Sequence, residues 1–307
     1  MRNAFAEEIA IAASIDERVV LLSGDIGNKL FDPFKSIAAN RIYNCGVAEA
    51  NMTGVAAGLG MMGYRPFTYS ITPFVTVRCL EQIRVDVCYH NLPVTIVGTG
   101  AGLSYAELGP THHSCDDIGI LRMLPNISIV CPCDAIEAKA AIWAALRQEG
   151  PVYIRLGKKG EPRIHDEIPT FMIGKSITIR EGSDACILST GNVMPIALDV
   201  ADGLIPSGIM ARVESFHTVK PLDEELLKYL FENFQTVVTV EEHSLIGGLG
   251  SAVAEWVIDY AKGAKARLYR FGTQDKFLPF ISGQAFAREY YGLRSEKIIR
   301  TILNELN

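Results

Sequence analysis

The sequence lacks several features that would each point to a particular class of protein. It has no cluster of basic residues, and its formal net charge of −6 over 307 residues argues against nucleic acid or an anionic membrane as the main partner. It has no apolar run near the ~18 to 20 residues that span a bilayer. The N-terminal MRNAFAEEIA has the pattern of an amphipathic helix rather than of a signal peptide. We therefore expect a cytoplasmic globular protein whose partners are small molecules or other proteins.

A disulfide framework is also missing, although the chain contains seven cysteines. Their number is odd and they are scattered through apolar segments, which is typical of reduced thiols in a large core. Cys131 and Cys133 flank Pro132 after a strand-like run, but no histidine or further cysteine stands near them in the sequence. Because a metal site needs more ligands than this pair supplies, we predict that this chain binds no metal.

Short apolar, β-branched runs alternate with helical patterns along most of the chain. The runs VVLLSG, PVTIVGTG, ISIVCP and PVYIRLG occupy 19–24, 93–100, 127–132 and 151–157. This alternation indicates a parallel sheet with helices on both faces. It breaks in a polar stretch over 158–184, after which ACILSTG opens a second series. We predict two α/β domains, at 1–165 and 184–307, with a linker at 166–183.

Glu49 is the acidic residue with the most unusual neighbours. It lies in NCGVAEANMTGVAAGLGMMGYRP (44–66), where apolar residues recur at helix spacing and the many small residues permit close packing. A single glutamate on a helix is normally solvated. Here Gly46, Val47, Ala48 and Ala50 offer it no polar surroundings. We therefore expect a buried carboxyl group that burial would tend to keep protonated, able to donate to a ring nitrogen or relay a proton.

A second candidate region is the loop over 98–117, which follows a predicted strand. In open α/β sheets, ligands bind where such loops converge beyond the carboxyl ends of the strands. The turn GPT presents His112 and His113 side by side. They could carry protons, ligate a metal or form hydrogen bonds, and only Asp116 and Asp117 stand near them as further ligands. Acid–base chemistry or binding of a substrate hydroxyl is the favoured interpretation.

Two other segments have less specific interpretations. Phe74 follows Pro73 just before a predicted helix, so it is either a core aromatic or a ring that stacks on a flat heterocycle. The Gly-rich EEHSLIGGLG (241–250) lacks the Lys-Ser/Thr ending of a phosphate-binding P-loop. It is more typical of a packing turn before a helix.

Taken in order, these segments resemble the C-terminal half of transketolase over essentially the whole chain. GVAEANMTGVAAGLG is similar to the family's GVxExxMxxxAxGLA element, and GPTHH with ILRMLPNISIVCPCDAIEA is similar to its GPTHQ, LRxxPN and RPxDxxE region. The segment SGDIGNKL lacks the GDG with a downstream Asn by which thiamine diphosphate enzymes hold magnesium and diphosphate. The resemblance is therefore to the second chain of a split transketolase, which carries the pyrimidine-binding and C-terminal domains.

The resemblance implies roles for residues of both candidate regions. Glu49 matches the glutamate that hydrogen-bonds the aminopyrimidine of thiamine diphosphate and thereby promotes formation of the reactive ylid. Phe74 matches an aromatic that packs on the pyrimidine ring, and Ile71 replaces an aromatic beside it. His112 matches the histidine that contacts an oxygen of the donor sugar, with His113 next to it.

At the substrate-binding positions implied by the resemblance, this chain departs more often from the family's residues than at the cofactor-binding positions. Arg2 and Lys158 stand where the family has arginines for the acceptor's phosphate, and lysine at 158 lacks the bidentate fork. Lys29 occupies the place of a phosphate-binding serine. Leu108 replaces an aspartate that reads a substrate hydroxyl, and Gly100 replaces a substrate-binding histidine. These departures predict ketol transfer to a non-standard or modified sugar.

The resemblance also implies a partner. An N-terminal, diphosphate-domain transketolase subunit would share thiamine diphosphate with this chain and hold Mg²⁺ or Ca²⁺, in a heterotetramer with two copies of each chain. Three alternatives remain: the beta subunit of a 2-oxoacid dehydrogenase, a relative of the single-chain 1-deoxyxylulose-5-phosphate synthase, and a catalytically silent regulatory partner. GPTHH and LRMLPN favour transketolase over the dehydrogenase, and the presence of Glu49 and His112 argues against a silent partner.

Overall fold

The structure, a computed structural model, describes residues 1–27, 29–158 and 160–306, which form two α/β domains with one sheet each. The first sheet contains β1 (Val19–Ser23), β2 (Ile42–Asn44), β3 (Arg65–Ile71), β4 (Thr95–Thr99), β5 (Ser128–Val130) and β6 (Val152–Leu156). These strands are parallel, in the spatial order β5-β6-β4-β3-β1-β2. The predicted parallel sheet is confirmed, although the sequence analysis did not identify β2 and β3.

Helices cover both faces of this sheet. They are α1 (Arg2–Ile15), α2 (Asp32–Ala38), α3 (Glu49–Met61), α4 (Thr72–Val75), α5 (Leu80–Gln82), a π-helical segment (Ile83–Tyr89), α6 (Asp117–Arg122) and α7 (Ala135–Leu146). On β1, Val19 and Leu21 belong to the core that includes α1 and α7, whereas Val20 and Leu22 belong to the core that includes α3. Because successive side chains of a strand alternate, a strand buried on both faces has a continuous apolar sequence.

The second domain is built in the same way around a smaller sheet. Its segments are β7 (Ile177–Arg180), β8 (Ala185–Thr190), α8 (Met194–Leu204), β9 (Ala211–Ser215), β10 (Thr218–Lys220), α9 (Glu224–Asn233), β11 (Thr236–Ser244), α10 (Leu249–Tyr260), β12 (Arg267–Thr273), α11 (Gln284–Tyr290) and α12 (Ser295–Leu306). The sheet order is β12-β11-β8-β9-β7, with only β7 antiparallel. Strand β10 instead joins the first sheet, antiparallel to β5. The chain therefore links its two domains through a strand as well as through packing.

Buried polar groups meet where the two domains touch. Asp117, at the start of α6, and Arg155, on β6, form an ion pair of 2.7 Å with side chains 0% and 2% exposed. Tyr153 donates to the same carboxylate oxygen at 2.6 Å. Arg155 also donates to the backbone oxygens of Ser114 and Glu242, at 2.8 and 3.0 Å. This network brings the loop after β4 alongside β11, at an edge where strands end and ligands commonly bind.

The cysteines are mostly part of the core. All seven cysteines are free, and five of them are buried. Burial raises the pKa of the Cys131 thiol to about 12, so it stays protonated. Across the described ranges, none of the helices has the length and apolar content needed to cross a membrane.

Candidate functional site

Glu49 is buried at the first position of α3, with 2% of its surface exposed. Its Oε1 accepts a hydrogen bond from Ser70 Oγ on β3 at 3.1 Å. Gly24, directly after β1, packs against it so closely that a Cβ there would lie 3.1 Å from Glu49 Cγ. The predicted burial is confirmed, because the ends of two neighbouring strands enclose the carboxyl group.

Arg78 is a member of this site that the sequence analysis did not identify. Its Nη1 donates to Glu49 Oε2 at 2.7 Å, and its guanidinium lies 4.1 Å above the ring of Phe74. The expectation of a carboxyl group with only apolar neighbours therefore omits a charged partner. Its position four residues after Phe74 was the available signal, since helical turns bring such residues together.

Phe74 and His112 are brought together, as the resemblance implied. Their ring centroids are 5.2 Å apart at 68°, and the ring of Tyr105 lies 6.1 Å from that of His112. Ile71 is the last residue of β3, immediately before the short helix α4 that carries Phe74. The end of β3, the helix α4 and the histidine loop, defined as residues 100–116, therefore meet at one place, which we call the cleft.

The two adjacent histidines have different environments. His112 Nδ1 lies 2.9 Å from Thr111 Oγ1, whereas His113 Nε2 lies 3.4 Å from the backbone oxygen of Ala106. Partial burial, with a smaller effect of the neighbouring His113, lowers the pKa of His112. His112 is therefore neutral at pH 7 and can either donate or accept a proton. His113 contributes a bond within the loop.

The three basic residues predicted to bind phosphate have separate environments. Lys158 pairs with Glu107 and lies 4.7 Å above the Tyr105 ring, so it contacts the histidine loop. Arg2 stands at the start of α1, and its buried Nε has no hydrogen-bond partner among the described residues. Lys29 is exposed in the turn before α2. Their predicted roles in substrate binding stay predictions.

The structure gives a steric reason for one departure from the family pattern. Gly100 has a φ of +81°, and a Cβ there would overlap the ring of Tyr105. A histidine cannot be accommodated while Tyr105 fills this space. Leu108 is 48% exposed at the turn that precedes the histidines, so it presents an apolar surface where the family has a carboxylate.

Cys133, Glu137 and His165 form a cluster that the sequence analysis missed. One potential ligand atom from each lies within 4.8 Å of the others. His165 Nε2 is 2.9 Å from Glu137 Oε1, a hydrogen bond, and Asp134 accepts the backbone N–H of His165 at 2.9 Å. These bonds tie the segment after β6 to the start of α7, and the histidine escaped notice because it is 28 residues from Glu137. The geometry is that of an ion pair, and the absence of a metal stays a prediction.

The Gly-rich segment 241–250 is a packing turn, as predicted. A Cβ on Gly247 would lie 2.9 Å from the Cα of Gly119. At the start of α10, Glu241 accepts the backbone N–H groups of Leu249 and Gly250 at 2.7 and 2.8 Å. The chain's own carboxylate thus occupies the position that a phosphate would take at this helix terminus.

Comparison with known proteins identifies relatives over nearly the whole chain. Residues 1–162 match the model of the transketolase pyrimidine binding domain, and residues 174–298 match that of the transketolase C-terminal domain. The chain is 38% identical over 301 residues to the 6-deoxy-6-sulfo-D-fructose transketolase subunit SqwH of Clostridium sp., covering 98% of this chain and 92% of that one. It is 35% identical over 272 residues to an apulose-4-phosphate transketolase subunit of Actinobacillus succinogenes, covering 89% and 87%. A solved split gene transketolase, described as an inactive beta4 tetramer, superposes with a TM-score of 0.90 at 34% identity, covering 99% of this chain and 97% of that one.

Proposed function

This chain belongs to the transketolase family, and on that premise we propose that it is one subunit of a two-chain, thiamine-diphosphate-dependent transketolase. The enzyme would move a two-carbon ketol unit from a ketose donor to an aldose acceptor. The observation that carries the proposal is the buried carboxyl group of Glu49, which shares one cleft with Phe74 and His112.

The residues present fit the pyrimidine half of the cofactor. Gly24 leaves room only for the Glu49 side chain, so the carboxyl group is held at one place. Phe74 offers a ring for stacking, and Arg78, 43% exposed, is able to move away from Glu49. When bound, thiamine diphosphate supplies a nucleophilic carbon for breaking and forming the carbon–carbon bond. Mg²⁺ or Ca²⁺ and the diphosphate group would be held by the partner chain.

Each residue of the cleft then has a defined task. Glu49 would bond a ring nitrogen of the pyrimidine and hold the proton whose position sets the tautomer. Phe74 would orient the ring and exclude water from one face. His112, neutral at pH 7, would donate to a substrate oxygen or accept its proton. Ile71 would line the pyrimidine side, and Lys158 would approach an anionic substrate group.

The partner is proposed to be an N-terminal, diphosphate-domain transketolase subunit. Two relatives are named as subunits of a transketolase, and the solved split gene transketolase is described as an inactive beta4 tetramer. This chain lacks the GDG motif for the metal and diphosphate. We propose a complete enzyme with two copies of each chain, since each site would need both kinds of domain and soluble oligomers are mostly symmetric.

The acceptor or donor is proposed to be a non-standard sugar. The two relatives are named for 6-deoxy-6-sulfo-D-fructose and apulose-4-phosphate. In this chain the apolar Leu108 and the Tyr105 ring packed on Gly100 remove two polar contacts of the usual sugar site. Efficient turnover of xylulose 5-phosphate with ribose 5-phosphate by the reconstituted complex would contradict this part of the proposal.

Glu49→Ala tests the catalytic assignment. In the complex reconstituted with a diphosphate-domain subunit, we expect ketol transfer to fall about 10²- to 10⁴-fold, the usual effect of losing an acid–base group. Glu8→Gln is the matched control, because Glu8 is also a helical carboxylate of the first domain with 8% exposure, yet it bonds Trp143 away from the cleft. Activity of Glu49→Ala within a few-fold of wild type would show the assignment to be wrong.

Cofactor binding separates the alternatives. The chain alone should bind thiamine diphosphate weakly, and addition of the partner should restore binding. Binding without ketol transfer, but with decarboxylation of a 2-oxoacid, would favour the dehydrogenase subunit. No binding even with the partner would favour the silent regulatory role.

A further inference from the structure

The histidine loop belongs to the first domain but is held at its base by the second. Gly102 and Ser114 close the base, with N–H to oxygen distances of 3.0 and 2.9 Å in the two directions. Just beyond this pair, the backbone oxygen of Cys115 accepts the N–H of Ser244, at the end of β11, at 2.7 Å. His112 stands two residues before Ser114.

Glu242, also on β11, contacts this base with its side chain. Its carboxylate is fully buried and accepts the backbone N–H of Leu103 at 2.7 Å. Gln284 Nε2 donates to it at 2.9 Å, Asn192 Nδ2 at 3.4 Å, and Arg288 Nε donates as well. Every hydrogen-bonding neighbour is thus a donor. A carboxylate satisfies all of them, whereas an amide would turn its own NH₂ group toward one of these donors.

The loop is shaped to receive this carboxylate. Gly102 has a φ of +61°, and a Cβ there would lie 2.5 Å from Glu242 Oε1. Leu103 and Ala106 of the loop pack with buried apolar residues of the second domain, namely Leu278, Ala287 and Tyr291. The histidine loop and the second domain are therefore complementary here: the backbone of Gly102 approaches Glu242 closely, Leu103 donates a hydrogen bond to it, and apolar side chains pack beside it.

We propose that Glu242 is a positioning residue that orients His112, and that the C-terminal domain serves as the platform of the histidine loop. This inference rests on the proposed function, because it assigns a role in ketol transfer through His112. All the predicted site residues belong to the first domain, so the contribution of the second domain would be geometric. A catalytic side chain on a Gly- and Pro-bearing loop needs such support, since small displacements of a catalytic group reduce its effect strongly.

Glu242→Gln in the reconstituted complex is the principal test. We expect kcat/KM for the donor to fall about tenfold or more, while the affinity for thiamine diphosphate, which depends on the Glu49 side of the cleft, is unchanged. Amide hydrogen exchange over 101–115 should become faster. Gly102→Ala, which disturbs the same contact from the loop side, should reproduce this combination of effects.

Two further variants distinguish positioning from general stability. Glu214→Gln is the matched control, because Glu214 is an equally buried carboxylate of the second domain that bonds Arg212, Ser176 and Thr178 instead of the loop. It should lower the melting temperature without changing kcat/KM. In a His112→Ala background, Glu242→Gln should cause little additional loss, since two residues that act as a unit are not additive.

Three results would overturn the positioning role of Glu242, and a fourth would overturn the function it rests on. The proposal is overturned if Glu242→Gln costs as much in the His112→Ala background as in wild type, or if Glu214→Gln reduces kcat/KM equally. Unchanged exchange over 101–115 in Glu242→Gln would also overturn it. If the wild-type complex shows no ketol transfer, the proposed function fails, whereas the exchange comparison between Glu242→Gln and Glu214→Gln still decides whether Glu242 holds the loop.

Discussion

The ion pair between Asp117 and Arg155 is expected to be a large single contribution to the stability of this chain. Both side chains are almost fully buried, 2.7 Å apart, where the two domains meet. In Asp117→Asn, the amide oxygen can still accept from Arg155 and Tyr153, so the substitution chiefly removes the negative charge. Removing one partner of a buried pair leaves the other charge uncompensated, and we expect a loss of about 3 to 5 kcal/mol.

The loss in free energy of unfolding caused by Asp117→Asn should depend on pH in one direction. Burial disfavours the charged form of Asp117, but the charges of Arg155 and His243 and the bonds from Arg155 and Tyr153 outweigh burial and lower its pKa. A carboxyl group with a lowered pKa contributes stability above its unfolded pKa, and that contribution is lost as the pH falls through its folded pKa. The gap in stability between wild type and Asp117→Asn should therefore be full at pH 7 and narrow on acidification.

Urea denaturation of the isolated chain at pH 7 measures this effect. Asp16→Asn is the matched control, because Asp16 pairs with Arg18 at 2.7 Å but the two side chains are 24% and 57% exposed. Exposed pairs typically contribute about 1 kcal/mol or less. A loss below about 1 kcal/mol for Asp117→Asn, or equal losses for the two variants, would refute the reasoning from burial.

Two other predictions concern the ion pair between His165 and Glu137 and the exposed side chain of Leu108. The bond and charge of Glu137, with Asp134, outweigh burial and raise the pKa of His165, so its stabilisation is present below its unfolded pKa and is lost as the pH rises through its folded pKa. Urea denaturation between pH 6 and pH 9 should show the stability gap between wild type and His165→Gln narrowing, and a constant gap would contradict the assigned ion pair. Leu108→Asp should raise turnover of an unmodified ketose phosphate by roughly tenfold or more in the reconstituted complex, since a hydrogen bond to a charged group contributes about 1.5 to 3 kcal/mol. No gain in a steady-state assay would show that Leu108 does not face the sugar.

Much of the fold could be predicted because its elements depend on local pattern. Strand β8 coincides with the first six residues of the run ACILSTG, and the burial of Glu49 followed from the small, apolar residues around it. Strands β2 and β10 were missed, because each has only three residues and, unlike the equally short β5, neither lies in a continuous apolar run. Strand β3 was missed because polar residues interrupt its sequence RPFTYSI. A short segment carries too few side chains to show a period.

The candidate site likewise contains residues that local motifs could identify and residues that only the folded structure brings together. Glu49, Phe74 and His112 could be selected by residue type and motif, and the structure brings them into one cleft. Arg78 was missed because the contact with Glu49 requires knowing that the turn after β3 folds over α3. Leu103 and Glu242 are 139 residues apart, so no local pattern could connect them.

The sequence by itself determined the class of fold and the family, and it singled out candidate site residues, because burial patterns and motifs are written in consecutive residues. Only the tertiary structure decided which groups meet: the guanidinium of Arg78 on Glu49, the ring of Tyr105 over Gly100, and the Glu242 carboxylate under the histidine loop. These contacts join residues from different strands and different domains. Their energies depend on distance and burial, and both quantities are set only when the whole chain is folded.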